Sequence, residues 1–320
     1  MSDSPLYLGA ADIRTLSLSP RLARESVASA FRDHAGGLSS YLPKASLELG
    51  PGHGFQGMVA ASEVDGVAAM KWVSMAPVQA QSAVPGTGTT VLLNDYATGR
   101  LLAVMDGSEI TLLRTAALSA VAASLLVQKK PTTIGFVGSG LQAKAHLAAF
   151  ADLFPQLDRV LAFSRTRSSA EKLAAVAAAV GLQAEAVDDP ERIMGDSDII
   201  ISMVPGGAGL RPFLDARKLR PNCFVSAVDI GRSWLPESLT AFDLRVTDSL
   251  AQSHAPYDVE TKPVESAPFH TDLIALSGES DVPHGARTLF CFRGLAIADM
   301  ALARIVYRQA QRQGVGTVLA

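Results

Sequence analysis

One stretch constrains the fold of this chain more than any other: Pro131-Thr-Thr-Ile-Gly-Phe-Val-Gly-Ser-Gly-Leu-Gln-Ala-Lys-Ala145. A short apolar run, Ile134 to Val137, ends in Gly138, Gly140 and Ala143, and a helical pattern follows from Leu141 to Phe154. This is the form of a dinucleotide-binding turn. The first glycine lets the backbone leave the strand sharply, the second lets it approach a pyrophosphate with no Cβ in the way, and the small third residue keeps the helix close to the strand. The helix N-terminus then offers free N–H groups and a dipole that favours an anion. Glycines also collect at ordinary strand-to-helix turns, but here a strand pattern precedes and a helix pattern follows, which favours the cofactor reading. Gly138, Ser139, Gly140, Leu141, Gln142 and Ala143 are the residues expected to cradle the cofactor.

The rhythm of the chain changes at this point. From residue 132, strand candidates (Ile134 to Val137, Val160 to Phe163, Ala184 to Val187, Ile199 to Met203, Phe224 to Val228, Arg245 to Thr247) alternate with helical patterns such as Ala170 to Val180. That alternation calls for a parallel sheet covered on both faces. The earlier part is different. An amphipathic stretch opens at Pro20, and strand-like runs follow at Ala45 to Leu49, Phe55 to Ala60, Val67 to Ser74, Thr89 to Asn94 and Leu101 to Met105. Asn94 to Gly99 reads as the turn between the last two, and Asp106 with Glu109 as a capping box opening the next helix. Periodicity fades between His254 and His284, and a helix pattern resumes from Gly294 to Val306. The expectation is an α/β chain: a Rossmann-type doubly wound sheet over 131–292, inserted into a second, α+β domain made of 1–130 and 293–320.

The 320 residues, 48% of them hydrophobic, are ample for two cores. A net charge of -3 gives no footprint for nucleic acid, and no dense basic run marks a membrane surface. Cys223 and Cys291 sit in apolar runs and make no disulfide framework; with no signal peptide or long apolar span the expected compartment is the cytoplasm. The six histidines show no metal-ligand spacing, so no metal is expected.

The turn after the second strand of a dinucleotide fold selects the cofactor. A carboxylate there holds the ribose 2′-OH of NAD, and a cation accommodates the 2′-phosphate of NADP. This chain has Ser164-Arg165-Thr166-Arg167 and no acid. Two guanidiniums and two hydroxyls suit a phosphate, so NADP(H) is favoured over NAD(H).

Cations also stand where a sheet and a helix should be apolar. Lys71 shares a strand face with Val67, Ala69 and Val73, which is costly unless it is partnered. It reads either as an ammonium in a substrate pocket or as a lysine snorkelling from an edge strand. Arg114, among Leu113 and Thr115-Ala-Ala-Leu118, suits bidentate recognition of a carboxylate, or a structural tie. Lys44, after Pro43, is a weaker third candidate.

These residues together resemble the ornithine cyclodeaminase/mu-crystallin family. The resemblance rests on Lys71, Leu113-Arg-Thr-Ala-Ala117, Gly138-Ser-Gly-Leu-Gln-Ala143, Ala227-Val-Asp229 and Phe290 through Gly294-Leu-Ala-Ile-Ala-Asp299. It implies a homodimer whose terminal segments bind substrate and dimerise, with the Rossmann domain inserted. It implies that Lys44, Lys71 and Arg114 surround a substrate carboxylate and that Asp229 acts near the amino or imino nitrogen, with Lys71 and Asp229 as the catalytic pair. The implied activity is NADP(H)-dependent reduction of a small imino acid (a ketimine), or the reverse amino-acid dehydrogenation. A cyclodeaminase using bound NAD(P) catalytically and a non-enzymatic NADP-binding crystallin are the alternatives. The sequence also departs from the family. Gln56 replaces a glutamate that meets the substrate in cyclodeaminases, and an amide cannot act as a carboxylate base. Lys44 stands where arginine is common, Ile230-Gly-Arg-Ser-Trp-Leu235 replaces the usual Pro-Gly-Lys segment, and Phe292-Arg293 replaces a common Ser-Val.

Overall fold

A computed structural model describes residues 4–50, 52–77, 86–206, 209–253 and 268–319. His254 and the following stretch to 267 lie outside the described residues. Contacts divide the chain into two compact units, Met1–Arg114 with Gly294–Ala320, and Thr115–Arg293.

The chain opens with β1 (Leu6–Leu8), α1 (Ala10–Thr15), α2 (Pro20–Ala35), β2 (Ser39–Tyr41), β3 (Ala45–Gly50), β4 (His53–Ser62), β5 (Val67–Met75), β6 (Thr87–Asp95) and β7 (Leu101–Asp106). Ser19 caps α2 by accepting from the Leu22 amide at 3.2 Å, ahead of Pro20 in the first turn. Between β6 and β7, Asn94 Nδ2 donates to the Gly99 carbonyl at 3.0 Å and Asp95 accepts from the Thr98 amide at 2.9 Å. This closes the antiparallel meander β4 to β7. Next comes α3 (Gly107–Leu126). Asp106 caps it by accepting from the Ser108 amide at 2.8 Å. Glu109, the other residue of the expected capping box, pairs with Arg14 at 2.5 Å. By length and composition α3 is apolar enough to cross a membrane, but 67% of that apolar window is buried within the protein, the pattern of a core helix.

The second unit runs β8 (Thr133–Val137), α4 (Leu141–Leu153), β9 (Arg159–Phe163), α5 (Arg167–Ala179), β10 (Gln183–Ala186), α6 (Pro190–Asp196), β11 (Ile199–Ser202), β12 (Cys223–Ala227), β13 (Leu244–Thr247), α7 (Leu250–Ser253), β14 (Thr271–Asp272), α8 (Leu273–Gly278) and β15 (Arg287–Cys291). All its strands pair in parallel, in the order β10-β9-β8-β11-β12-β15-β13-β14. The first five strands thus lie third, second, first, fourth, fifth, the doubly wound Rossmann arrangement with its topological switch between β8 and β11. β8, β11 and β12 are buried along their whole length, as a sheet covered on both faces requires. β15 was not among the expected strands, and it sits between β12 and β13 although it follows both in sequence.

The chain then returns to the first unit as α9 (Ala296–Gln313) and β16 (Thr317–Val318). The first unit's sheet runs β16-β1-β7-β6-β5-β4-β2, with β3 also paired to β4. Helix α9 packs on α2, β4 and β5. Met58, Ala60, Val67, Ala69, Val91 and Leu93 on the sheet, and Val27 and Phe31 on α2, are buried. The other face of β3 to β5 carries Leu47, Val59 and Trp72, exposed at 59%, 38% and 40%. Trp72 stacks on Phe55 with ring centroids 5.7 Å apart.

Candidate active-site elements

In the first unit, β5 lies inside the sheet between β4 and β6, so Lys71 is not on an edge strand. Met58 and Val91 stand opposite it in register. Its side chain is 2% exposed, and Nζ donates to Asp299 Oδ1 at 2.8 Å. Arg114 Nε lies 3.2 Å from the same oxygen, with the arginine side chain 9% exposed. Arg114 Nε and Asp299 Oδ2 have no hydrogen-bond partner among the described residues. Burial pushes the Lys71 ammonium down to about 8, Arg114 adds to the fall, and Asp299 opposes it. Among the described residues the cluster therefore holds two cations against one carboxylate, a net positive charge within the unit.

Gly294 makes room for this cluster. Its φ is +85°, and a Cβ there would lie 2.2 Å from an Arg114 terminal nitrogen and 3.0 Å from the guanidinium carbon. Any side chain at this position therefore competes with Arg114 for the same volume. Sequence reasoning gave no role to Asp299 or Gly294. The rule that singled out Lys71, a charge on an apolar face, applies equally to Asp299 in the run Leu295 to Val306 and was the available signal. Gln56 is half-buried and shares the inward face of β4 with Met58, the residue opposite Lys71. Lys44, also half-buried, immediately precedes β3, on which Ser46 pairs with Gln56.

In the second unit, the glycine turn lies at the switch point. Gly138 has φ +101°, and a Cβ there would be 2.9 Å from the Met203 carbonyl oxygen at the end of β11. Its amide donates to Phe163 O at 2.8 Å. Gly140 is the N-cap of α4, and a Cβ there would meet no atom within 4 Å. Backbone amides at the start of α4 thus adjoin open space, and the turn fits the pyrophosphate of a dinucleotide. Leu141 is exposed beside it and Ala143 is fully buried; Ser139 Oγ is 3.4 Å from Phe163 O.

A buried chain of hydrogen bonds backs α4. His146 Nδ1 bonds the Gln142 carbonyl at 2.8 Å, so Nδ1 carries the proton and Nε2 accepts from Ser119 Oγ at 3.0 Å. Ser226 Oγ in turn donates to Ser119 Oγ at 2.9 Å. All three side chains are fully buried, and burial lowers the imidazole to about 4.

At the cofactor-selecting turn, Thr166 is the N-cap of α5, and its hydroxyl bonds Ser169 Oγ at 2.8 Å. Arg167 is engaged by Glu171, at 3.0 Å, and by Asp188. Arg165 is exposed and Ser164 half-buried.

Asp229 follows β12 and is 4% exposed. Its Oδ1 accepts from Ser202 Oγ at 3.1 Å and from the Gly231 amide at 3.2 Å; Oδ2 accepts from Ser233 Oγ at 2.5 Å and from the Val204 amide at 3.4 Å. Trp234 Nε1 donates to Ser202 Oγ at 3.0 Å. Burial raises the carboxyl above its ordinary range, opposed by these four donors. Asp229 is thereby fixed at the C-terminal ends of β11 and β12, the edge of an open α/β sheet where ligands bind. Arg293, 6% exposed, is spent internally: its terminal nitrogen donates to Gln252 O at 2.7 Å.

A doubly wound parallel sheet with a glycine turn at its switch point defines a dinucleotide-binding α/β protein of the Rossmann type. The chain belongs to the ornithine cyclodeaminase/mu-crystallin family, whose model matches residues 6–314. It is 28% identical over 305 residues to alanine dehydrogenase of Archaeoglobus fulgidus, covering 92% of each chain. Its structure is similar to Thermococcus litoralis Delta(1)-pyrroline-2-carboxylate reductase, solved in complex with NADH and L-proline, with TM-score 0.83, 25% identity and coverage of 98% and 100% of the two chains. It is also similar to an archaeal alanine dehydrogenase dimer with bound NAD, with TM-score 0.82, 25% identity and coverage of 99% of each. The relatives are thus imino-acid reductases and amino-acid dehydrogenases that use a nicotinamide cofactor.

Proposed function

We propose that this protein is an NADP(H)-dependent oxidoreductase that reduces a small imino acid to the amino acid, or runs the reverse dehydrogenation. The observation that carries the reading is the buried Lys71 and Arg114 pair with, among the described residues, Asp299 alone to offset it. A net cation shut away from water is costly unless an anion completes it, and a substrate carboxylate is that anion. Lys44 borders β3, and Gln56 shares the face that meets Lys71, so both are assigned to the substrate's surroundings. A bound nicotinamide would supply the hydride. Asp229, whose carboxyl burial raises, and Lys71, brought down to about 8, are the groups assigned to exchange a proton with the substrate nitrogen.

Gly138 to Ala143 would hold the pyrophosphate. Ser164, Arg165 and Thr166 would hold a 2′-phosphate, in a turn with no acid to receive a ribose hydroxyl; Arg167 is less available because Glu171 and Asp188 engage it. Gln56 argues against cyclodeaminase action, since an amide forms no ion pair with a distal ammonium. The exposed apolar face of Leu47, Val59 and Trp72 is assigned to a second copy of the chain, consistent with the dimeric relative. The two buried cysteines, which form no disulfide among the described residues, fit a cytoplasmic location.

The test is oxidation of NADPH and of NADH against a panel of cyclic and acyclic imino acids, beside direct cofactor binding. The reading expects turnover on at least one imino acid, with NADPH preferred. Folded protein that binds NADPH and turns over none of them refutes it.

A further inference from the structure

Asp299 has no part in the family resemblance beyond its place in a motif, yet it is the residue that makes the cation pair possible. Two buried cations side by side repel, and each pays for lost hydration. Here one oxygen, Asp299 Oδ1, meets both: Lys71 Nζ at 2.8 Å and Arg114 Nε at 3.2 Å. The ammonium donates a hydrogen bond to this oxygen, and the inner guanidinium nitrogen stands beside it as an ion pair. The terminal fork of Arg114 occupies the volume that Gly294 leaves empty.

Resting on the proposed carboxylate-binding role of Lys71 and Arg114, we infer that Asp299 is a positioning residue, whose single oxygen holds the two cations together as a seat for the substrate carboxylate. Lys71, Arg114 and Asp299 together leave a positive charge that a carboxylate offsets. The charged groups acting on Lys71 are Arg114 from α3 and Asp299 from α9. The flanking strands β4 and β6 present Met58 and Val91 opposite it. Among the described residues, Asp299 is the group that favours the protonated Lys71 against burial and Arg114.

The test is Asp299→Asn, which keeps the size and removes the charge. The Lys71 ammonium is titrated by NMR with lysine labelled at Cε, using Lys71→Arg to assign the signal, in the full-length protein without substrate. Wild type should titrate near 8 and Asp299→Asn at lower pH. With an imino acid that wild type reduces, KM should rise tenfold or more while kcat changes little, and the alkaline limb of kcat/KM should move to lower pH. An unchanged Lys71 titration in folded Asp299→Asn overturns the inference. If Asn is not accommodated, Asp299→Ser carries the same measurement. The titration needs no turnover, so a protein inactive on every imino acid would sink the proposed function and still decide the role of Asp299.

Discussion

Replacing Lys71 with methionine should change how the stability of this protein depends on pH, by an amount the structure fixes. In the folded state the Lys71 ammonium is depressed from 10.5 to about 8, chiefly by burial. A lysine with a lowered folded value is proton-poor in the fold relative to the unfolded chain between those two pH values. Unfolding therefore takes up a proton there, and stability rises with pH through that window. Below about pH 8 the fold carries the full cost of a buried charge, and that cost is relieved as the group deprotonates. Integrating between pH 7 and pH 10 gives a stabilisation of about 2.5 kcal/mol from this one group. The Lys71→Met variant lacks it. The assay is urea unfolding of both proteins at pH 7 and pH 10 with no ligand present, taking the difference of differences. Titration of cysteines and tyrosines is common to both proteins and cancels. Wild type should gain about 2.5 kcal/mol more than the variant between the two pH values. Equal gains would show that Lys71 is hydrated or stably neutral, and would refute the buried-charge account of the site.

Gly140→Ala should leave the melting temperature unchanged, since the new Cβ meets no protein atom within 4 Å, while NADPH affinity measured by fluorescence titration falls tenfold or more. Arg165→Gln should raise KM for NADPH by roughly 10- to 100-fold, the scale of a hydrogen bond to a charged group, and leave KM for NADH unchanged. Arg167→Gln should do less, because Glu171 and Asp188 already engage that arginine. His146 is held neutral in the fold, lowered from 6.5 to about 4. The stability it confers is complete above pH 6.5 and is lost as pH falls toward 4, by about 3 kcal/mol. Denaturation of His146→Phe across that range should show a shallower acid limb than wild type.

Much of this was legible in the sequence where the signal is local. The glycine turn and the strands on either side of it depend on residues a few positions apart, and α5 and the β6–β7 turn follow from short patterns. Lys71 was visible as a charge on an apolar face, but its two readings differ only in what lies opposite. The answer, Asp299, is 228 residues away. Gly294 reads as an ordinary turn glycine until Arg114 is seen in its place. Asp229 was a candidate from its motif, whereas the hydroxyl of Ser202, 27 residues earlier, gives no pattern by which to find it. The commitment of Arg167 to Asp188 is hidden for the same reason. The position of β15 within the sheet was not readable, because spatial order among late strands depends on crossovers that leave no periodic trace.

The unbalanced charge at Lys71, Arg114 and Asp299 makes the fold itself a detector of its ligands. A small acid that supplies the missing negative charge binds the native state and not the unfolded chain, so it raises the melting temperature in proportion to the logarithm of its concentration over its dissociation constant. Ranking a library of amino and keto acids by thermal shift, with the matching amides and esters as uncharged controls, would order the candidates before any reaction is known. The anion-dependent part of each shift should disappear in Lys71→Met and survive in Gln56→Ala.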